Sequence, residues 1–152
     1  MKKAGRRLML YFAYGSNMSS ARLNARVPSA RRIGLGALHG YDLRFHKKGT
    51  DGSGKCDAYA TGRAEDRVIG VLYAMATAEK AGLDRAEGLG HGYLAHHVDV
   101  VDRYGRTRSA MTYYAIRMDS ALQPYTWYLR HVLVGARESR IGGSYLQRLA
   151  SV

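Results

Sequence analysis

The segment Arg67 to Met75 constrains this chain more than any other. Val68, Gly70, Leu72 and Ala74 fall on one face of an extended strand, and Ile69, Val71, Tyr73 and Met75 fall on the other. A strand apolar on both faces cannot lie at a solvated edge and belongs in the middle of a covered sheet. The remaining segments supply the cover. Leu8 to Tyr14 is short, apolar and aromatic, which reads as a buried strand, and Gly15-Ser16-Asn17 breaks it. Ser19 to Ala25 reads as a short helix stopped by Pro28. Arg31 to Leu38 and Tyr41 to Phe45 read as a strand pair kinked at Gly40. Asp57 to Gly62 is a further strand, and Tyr93 to Asp102 and Arg108 to Ile116 are two strands joined by a turn at Tyr104-Gly105.

Helical spacing appears in two places. Thr77 suits the N-cap of a helix running to Glu87, with Gly88 at the left-handed C-cap position. Tyr125, Tyr128, Leu129, Val132, Leu133 and Ala136 form a packing stripe on a helix that holds Pro124 in its first turn and ends at Gly142-Gly143. Ser144 to Ala150 adds a turn or two. The sum is an α+β domain: a small mixed sheet of about six strands, curled toward a barrel, with three or four flanking helices. A chain of 152 residues fits a single domain over 1–152, with 1–7 as a flexible basic N-terminus. His46 to Lys55, polar and holding three glycines, reads as a loop and a candidate lid.

Composition narrows the classes. No apolar run approaches the roughly 18 residues a membrane helix needs, so no membrane partner is expected. One cysteine, Cys56, excludes an internal disulfide and fits a cytoplasmic protein. Cys56 falls in the polar loop beside Lys55, where a reactive thiol is conceivable but lacks a local histidine. The net charge is +12, and eighteen of the 24 basic residues are arginine. Charge of this kind speaks to association and solubility. It suits an acidic small substrate, a solvated surface, or nucleic acid, and nucleic acid is not the expected partner. His91, His96 and His97 cluster in sequence, but neighbours on a strand point to opposite faces, so no metal site and no cofactor are expected. His91 remains a candidate for the rim of a site near Glu87.

The segment Tyr11 to Met18 runs from a strand through a glycine turn into a helix. That arrangement presents successive backbone N–H groups to a carboxylate or a developing oxyanion, with Ser16 and Asn17 as side-chain donors. A plain helix cap accounts for the same residues. The order of pieces along the chain separates the two. Tyr14-Gly15-Ser16-Asn17 resembles the substrate loop of γ-glutamylcyclotransferases. The likeness continues through Pro28-Ser29-Ala30, Leu83 to Gly88, Gly92-Tyr93, Tyr128-Leu129 and Gly135 to Glu138, in that family's order over almost the whole chain.

The resemblance implies a small β-barrel with flanking helices and a cavity for a γ-glutamyl group. The reaction it implies releases 5-oxoproline and a free amino acid or amine. It makes Glu87 the general acid and base. A carboxylate at a helix C-terminus faces the negative end of the dipole, which favours a raised pKa. Tyr14, Gly15, Ser16, Asn17 and Met18 would bind the γ-glutamyl group. Tyr93 is either a further substrate contact or a core tyrosine. Tyr125 and Tyr128 are expected in the core, and Glu138 is expected to be structural. A related γ-glutamylamine branch shows Tyr-Gly-Thr-Leu at the loop, so Tyr-Gly-Ser-Asn points toward γ-glutamyl amino acids. A homodimer is left open. The competing reading is a binding module of the same fold that uses its basic surface, on nucleic acid for instance.

Overall fold

The computed structural model describes residues 7–48, 54–116, 118–119 and 121–150. Seven strands and four α-helices are found among them: β1 (Leu8–Ala13), α1 (Ser20–Arg26), β2 (Arg31–His39), β3 (Tyr41–Lys48), β4 (Gly54–Ala60), β5 (Arg67–Ala76), α2 (Lys80–Glu87), β6 (Tyr93–Asp102), β7 (Thr107–Ala115), α3 (Thr126–Glu138) and α4 (Gly143–Ala150). Five strands close a barrel in the order β1-β5-β2-β6-β7, and β3 and β4 form a separate two-stranded sheet. The two-faced strand β5 pairs with both β1 and β2, as its apolar pattern requires. The barrel shuts where β1 meets β7 in parallel, with Tyr11 opposite Met111. Thr112 Oγ1 donates to Phe12 O (2.8 Å) across that seam.

The interior is narrow. Gly36 and Gly70 face each other across β2 and β5. A Cβ on Gly36 would come under 3.0 Å from Val100, and one on Gly70 under 3.0 Å from Ala13 O and the Phe12 ring. The β3–β4 sheet is tied to the barrel by a buried polar link rather than by strand pairing. His46 Nε2 and Asp57 Oδ2 share a hydrogen bond (2.6 Å), and Asp57 Oδ1 accepts from Ala115 N on β7 (2.8 Å). Among the described residues no helix is long and apolar enough to cross a membrane.

Four sequence expectations change. His46 to Lys48 continue β3, and Gly54 and Lys55 begin β4, so these residues are strand and not a lid; positions 49–53 lie outside the described residues. Cys56 is consequently a buried strand residue, not a loop thiol. Residues 1–6 of the expected flexible N-terminus also lie outside the described residues, while Arg7 O already accepts from Thr77 N (2.9 Å). Finally, α3 stops at Glu138, before Gly142-Gly143. Arg140 adopts the left-handed conformation (φ 58°), with Arg140 N bonded to Arg137 O and Ile141 N to Ala136 O, both 3.0 Å. Proximity to the helix end decided this, not the nearest glycine pair.

The contact that positions the glycine turn is made by α3. Helix α3 lies so close to the 3-10 turn Ser16–Met18 that a Cβ on Gly135 would fall under 3.0 Å from Met18 C and Ser19 N. Both obstacles are backbone and cannot rotate away. Gly135→Ala is therefore expected to destabilise the fold by about 1–3 kcal/mol, the usual cost of overpacking. Chemical denaturation of the two proteins measures it, and an unchanged midpoint would show that the helix and turn separate freely.

Candidate active site

Six segments converge on one cavity: β1 with the turn that follows it, β4, the C-terminus of α2, the start of β6, β7 and α3. Its walls are five tyrosines (Tyr11, Tyr14, Tyr93, Tyr113 and Tyr128) together with Cys56, and its polar edge is Gly15, Ser16, Asn17 and Glu87. About 300 Å³ of empty space lies within it, its mouth included.

Glu87 is the last residue of α2. Gly88 takes the left-handed conformation (φ 69°) that the sequence anticipates, and Leu89 N returns to Asp84 O (2.9 Å). The helix thus ends with the Glu87 side chain 16% exposed and lining the cavity. Asn17 Nδ2 donates to Glu87 Oε1 (2.6 Å) and to Tyr11 OH (3.1 Å). Arg26 Nη1 reaches both Glu87 Oε1 (3.4 Å) and Asn17 Oδ1 (3.3 Å). Burial pushes the Glu87 carboxyl above its ordinary value, opposed by Arg26, Asn17, Lys47 and Arg22, and burial is the larger effect. The helix end offers a dipolar contribution of the same sign.

The turn residues have distinct placements. Gly15 is pressed against Cys56 and Tyr128, since a Cβ there would sit 3.0 Å from Cys56 Cβ. Met18 N donates to Gly15 O (3.0 Å), which leaves the Ser16 and Asn17 amides ahead of the turn's first hydrogen bond. Ser16 Oγ accepts from Arg22 Nε (3.1 Å), so its own proton is available to another acceptor. Asn17 spends both amide hydrogens on Tyr11 and Glu87 and so orients the carboxylate. Met18 is fully buried beneath the turn and does not line the cavity.

The tyrosines are walls with occupied hydroxyls. Tyr14 OH donates to Tyr113 O (2.7 Å), and Tyr113 OH donates to Asp84 Oδ1 (2.6 Å). Tyr93 OH donates to Cys56 O, and Tyr128 OH accepts from Cys56 N (2.9 Å). Tyr93 is thus a core tyrosine and a cavity wall at once. Burial raises the pKa of all five wall tyrosines, which keeps them neutral in the physiological range. Lys47 sits over the Tyr93 ring (4.5 Å) and Lys55 over Tyr128 (4.5 Å), adding positive charge beside the cavity.

Sequence reasoning missed Tyr11, Arg26, Cys56 and Tyr113. Tyr11 carried no usable signal, since residues three apart on a strand point to opposite faces, and only the end of β1 at Ala13 lets Tyr11 and Tyr14 line one cavity. Arg26 carried none, because only the seating of α1 beside α2 brings it to Glu87. Among the residues named in advance, Tyr125 is exposed, His91 is exposed and does not line the cavity, and Glu138 is held by Arg32 and by Ser20 N (3.3 Å).

A model of the AIG2-like family matches residues 67–149, more than half of the chain. The chain belongs to this family. Human and bovine gamma-glutamylcyclotransferases are each 29% identical to it, over 94% of this chain and 78% of theirs. A solved gamma-glutamyl cyclotransferase superposes with a TM-score of 0.89 at 26% identity, covering 96% of this chain and 88% of that one. A yeast γ-glutamyl cyclotransferase specific to glutathione is 14% identical with a TM-score of 0.69, over 95% of this chain and 94% of that one; it shares the fold alone. The family expected from Tyr14-Gly15-Ser16-Asn17 is the γ-glutamylcyclotransferase family, and the fold is the one that family uses.

Two measurements test the electrostatics of this γ-glutamylcyclotransferase-fold cavity. An acid whose folded pKa is raised stabilises the fold fully below its unfolded value, and that contribution is lost as pH rises through the folded value. The stability of the native protein relative to Glu87→Gln is therefore expected to fall as pH rises from about 4.3, the ordinary glutamate value. Denaturation curves across that range read it, and a difference that grows with pH would reverse the assignment. Burial also pushes the Cys56 thiol up to about 12. At neutral pH Cys56 is expected to resist alkylation in the folded protein and to react at the ordinary rate once unfolded.

Proposed function

We propose that this chain is a γ-glutamylcyclotransferase in activity as well as in family, with Glu87 as its general acid and base. The observation that carries the reading is a carboxyl group buried in a tyrosine-walled cavity, with its pKa raised, and held by Asn17 of the turn that lines the same cavity. The curated relatives, which the match covers over 78% of their length, carry the name of this activity.

The substrate brings its own nucleophile. In a γ-glutamyl group three carbons separate the α-amine from the γ-carbonyl carbon, so attack closes a five-membered ring, and enforced proximity contributes up to about 7–11 kcal/mol. The enzyme then needs a folded pose, a base and an oxyanion partner. Glu87 takes a proton from the α-ammonium, and the freed amine attacks the γ-carbonyl carbon. The new C–N bond closes the ring. The oxyanion that forms is met by the Ser16 and Asn17 amides and the Ser16 hydroxyl. Collapse breaks the γ-amide bond as Glu87 gives its proton to the departing nitrogen; the carboxylate so regenerated takes the surplus proton of the ring nitrogen and passes it to the released amine, leaving 5-oxoproline and an ammonium product.

Each part of the cavity has a place in that sequence. Raised basicity lets Glu87 accept a proton near neutral pH and give it back. Asn17 and Arg26 fix the carboxylate in one position. Tyrosine walls exclude water from the carboxyl group, which strengthens every charge interaction inside. The cations beside the mouth favour a substrate that carries its α-carboxylate.

Incubation with a panel of γ-glutamyl amino acids and γ-glutamyl amines, with 5-oxoproline quantified, tests the proposal. Native protein is expected to release 5-oxoproline from at least one of them. Glu87→Gln is expected to lower the rate by about 10²–10⁴, the range for loss of a positioned acid–base group. Undiminished release by the variant would remove Glu87 from its role while sparing the activity. Failure of the native protein on every member would end the activity assignment.

A further inference from the structure

Helix α1 carries two arginines one turn apart, Arg22 and Arg26, and each takes the acceptor oxygen of one residue of the glycine turn. Arg26 Nη1 donates to Asn17 Oδ1 (3.3 Å), and Arg22 Nε donates to Ser16 Oγ (3.1 Å). Arg26 has a second task as the counter-ion of Glu87. Arg22 has no such partner. It does not line the cavity, and among the described residues it forms no ion pair. Its guanidinium lies over the Trp127 ring (5.8 Å to the centroid), partly buried and repelled by Arg26, and both effects lower its pKa. Like charges four residues apart also weaken a helix. The placement is therefore unfavourable in itself, and its one hydrogen bond goes to a neutral serine.

The hydrogen-bond inventory shows what that contact does. A guanidinium has donors and no acceptor, so the Ser16 hydroxyl cannot return its proton to Arg22 and must donate elsewhere. Ser16 is buried and lines the cavity, and its hydroxyl makes no other hydrogen bond among the described residues. Buried donors are rarely left so, and an acceptor oxygen of a bound substrate completes this one. Asn17 follows the same rule. With its Oδ1 held by Arg26, its Nδ2 turns to Tyr11 and Glu87. The two arginines of α1 thus sort the turn's side chains, acceptors outward and donors inward.

We infer that Arg22 is a positioning residue, which holds the Ser16 hydroxyl as a donor to the γ-carbonyl oxygen of the substrate. This rests on the cyclotransferase reading of the cavity. A hydroxyl whose oxygen accepts from a cation is polarised toward its own acceptor, and the effect grows as that acceptor becomes an oxyanion. No proton leaves Ser16 or Arg22. The hydrogen bond tightens while the ring closes and loosens when the oxyanion collapses to the carbonyl of 5-oxoproline.

A double-mutant cycle on 5-oxoproline release tests this. Native protein, Arg22→Met, Arg22→Lys, Ser16→Ala and the double variant Ser16→Ala/Arg22→Met are compared, all well below the lowest melting temperature among them. Values of kcat are taken from the plateau of each pH profile, because Arg22 also lowers the Glu87 carboxyl and its loss moves the limb. Ser16→Ala is expected to lower kcat by about 10², the low end for one oxyanion donor. Arg22→Met is expected to lower kcat about tenfold or more while KM stays within about threefold, as for an interaction made chiefly in the transition state. The double variant is expected to match Ser16→Ala within about twofold, since Arg22 then has nothing to act through. Arg22→Lys, which keeps a cationic donor on a long stem, is expected to recover most of the lost kcat. Losses that multiply in the double variant, an unchanged kcat in Arg22→Met, or a loss confined to KM would overturn the inference while the native activity stands. No release by the native protein would end the activity assignment and this inference together.

Discussion

Burying the Glu87 carboxyl group is the costly act around which this molecule is arranged. A carboxylate taken from water into a low-dielectric interior must be paired, hydrogen-bonded or protonated. Here all three responses are combined. Arg26 stands 3.4 Å away, Asn17 donates at 2.6 Å, and burial lifts the pKa so that a proton is held more readily. The compromise leaves a group that is neither a fixed ion nor a permanently neutral acid. A stronger ion pair would pin Glu87 as a carboxylate, and a wholly apolar pocket would leave it protonated.

The surrounding fold supplies that balance from parts far apart in sequence. Tyr11 fixes Asn17 from β1, and Arg26 arrives from α1. Tyr113 links β7 to α2 through Asp84, one turn before Glu87. Helix α3 presses the glycine turn from outside through Gly135, so the turn cannot relax away from the carboxylate. Cys56, from the separate β3–β4 sheet, bonds both Tyr93 and Tyr128 through its backbone and closes the wall. The His46–Asp57 link then holds that sheet to the barrel.

Much of this was legible in the chain itself. The two-faced strand β5, the stop at Gly88 after Glu87, and the packing stripe of α3 each rest on local rules: strand alternation, left-handed caps and helical spacing. Those rules act within a few residues, and at these three places the tertiary structure agrees with them. The Tyr14 to Asn17 turn was legible by resemblance, because its spacing to Glu87 and Gly92-Tyr93 matches a known family. At His46 to Lys48 and at Gly54 and Lys55 the sequence misled because lysine and glycine composition reads as loop. Pairing between β3 and β4, together with the burial of Cys56, overrode that local preference.

The sequence by itself determined which strand lies at the centre, that a helix stops at Gly88, and which glutamate stands at that terminus. Tertiary structure alone decided that Arg26 and Asn17 share that glutamate and that Asn17 turns both amide hydrogens inward. It also decided that Met18 lies beneath the turn instead of facing the cavity. The physical reason is one of range. Caps and periodicity depend on neighbours along the chain, whereas a buried charge is set by whatever groups folding brings within a few ångströms of it, and their separation in sequence leaves no local trace.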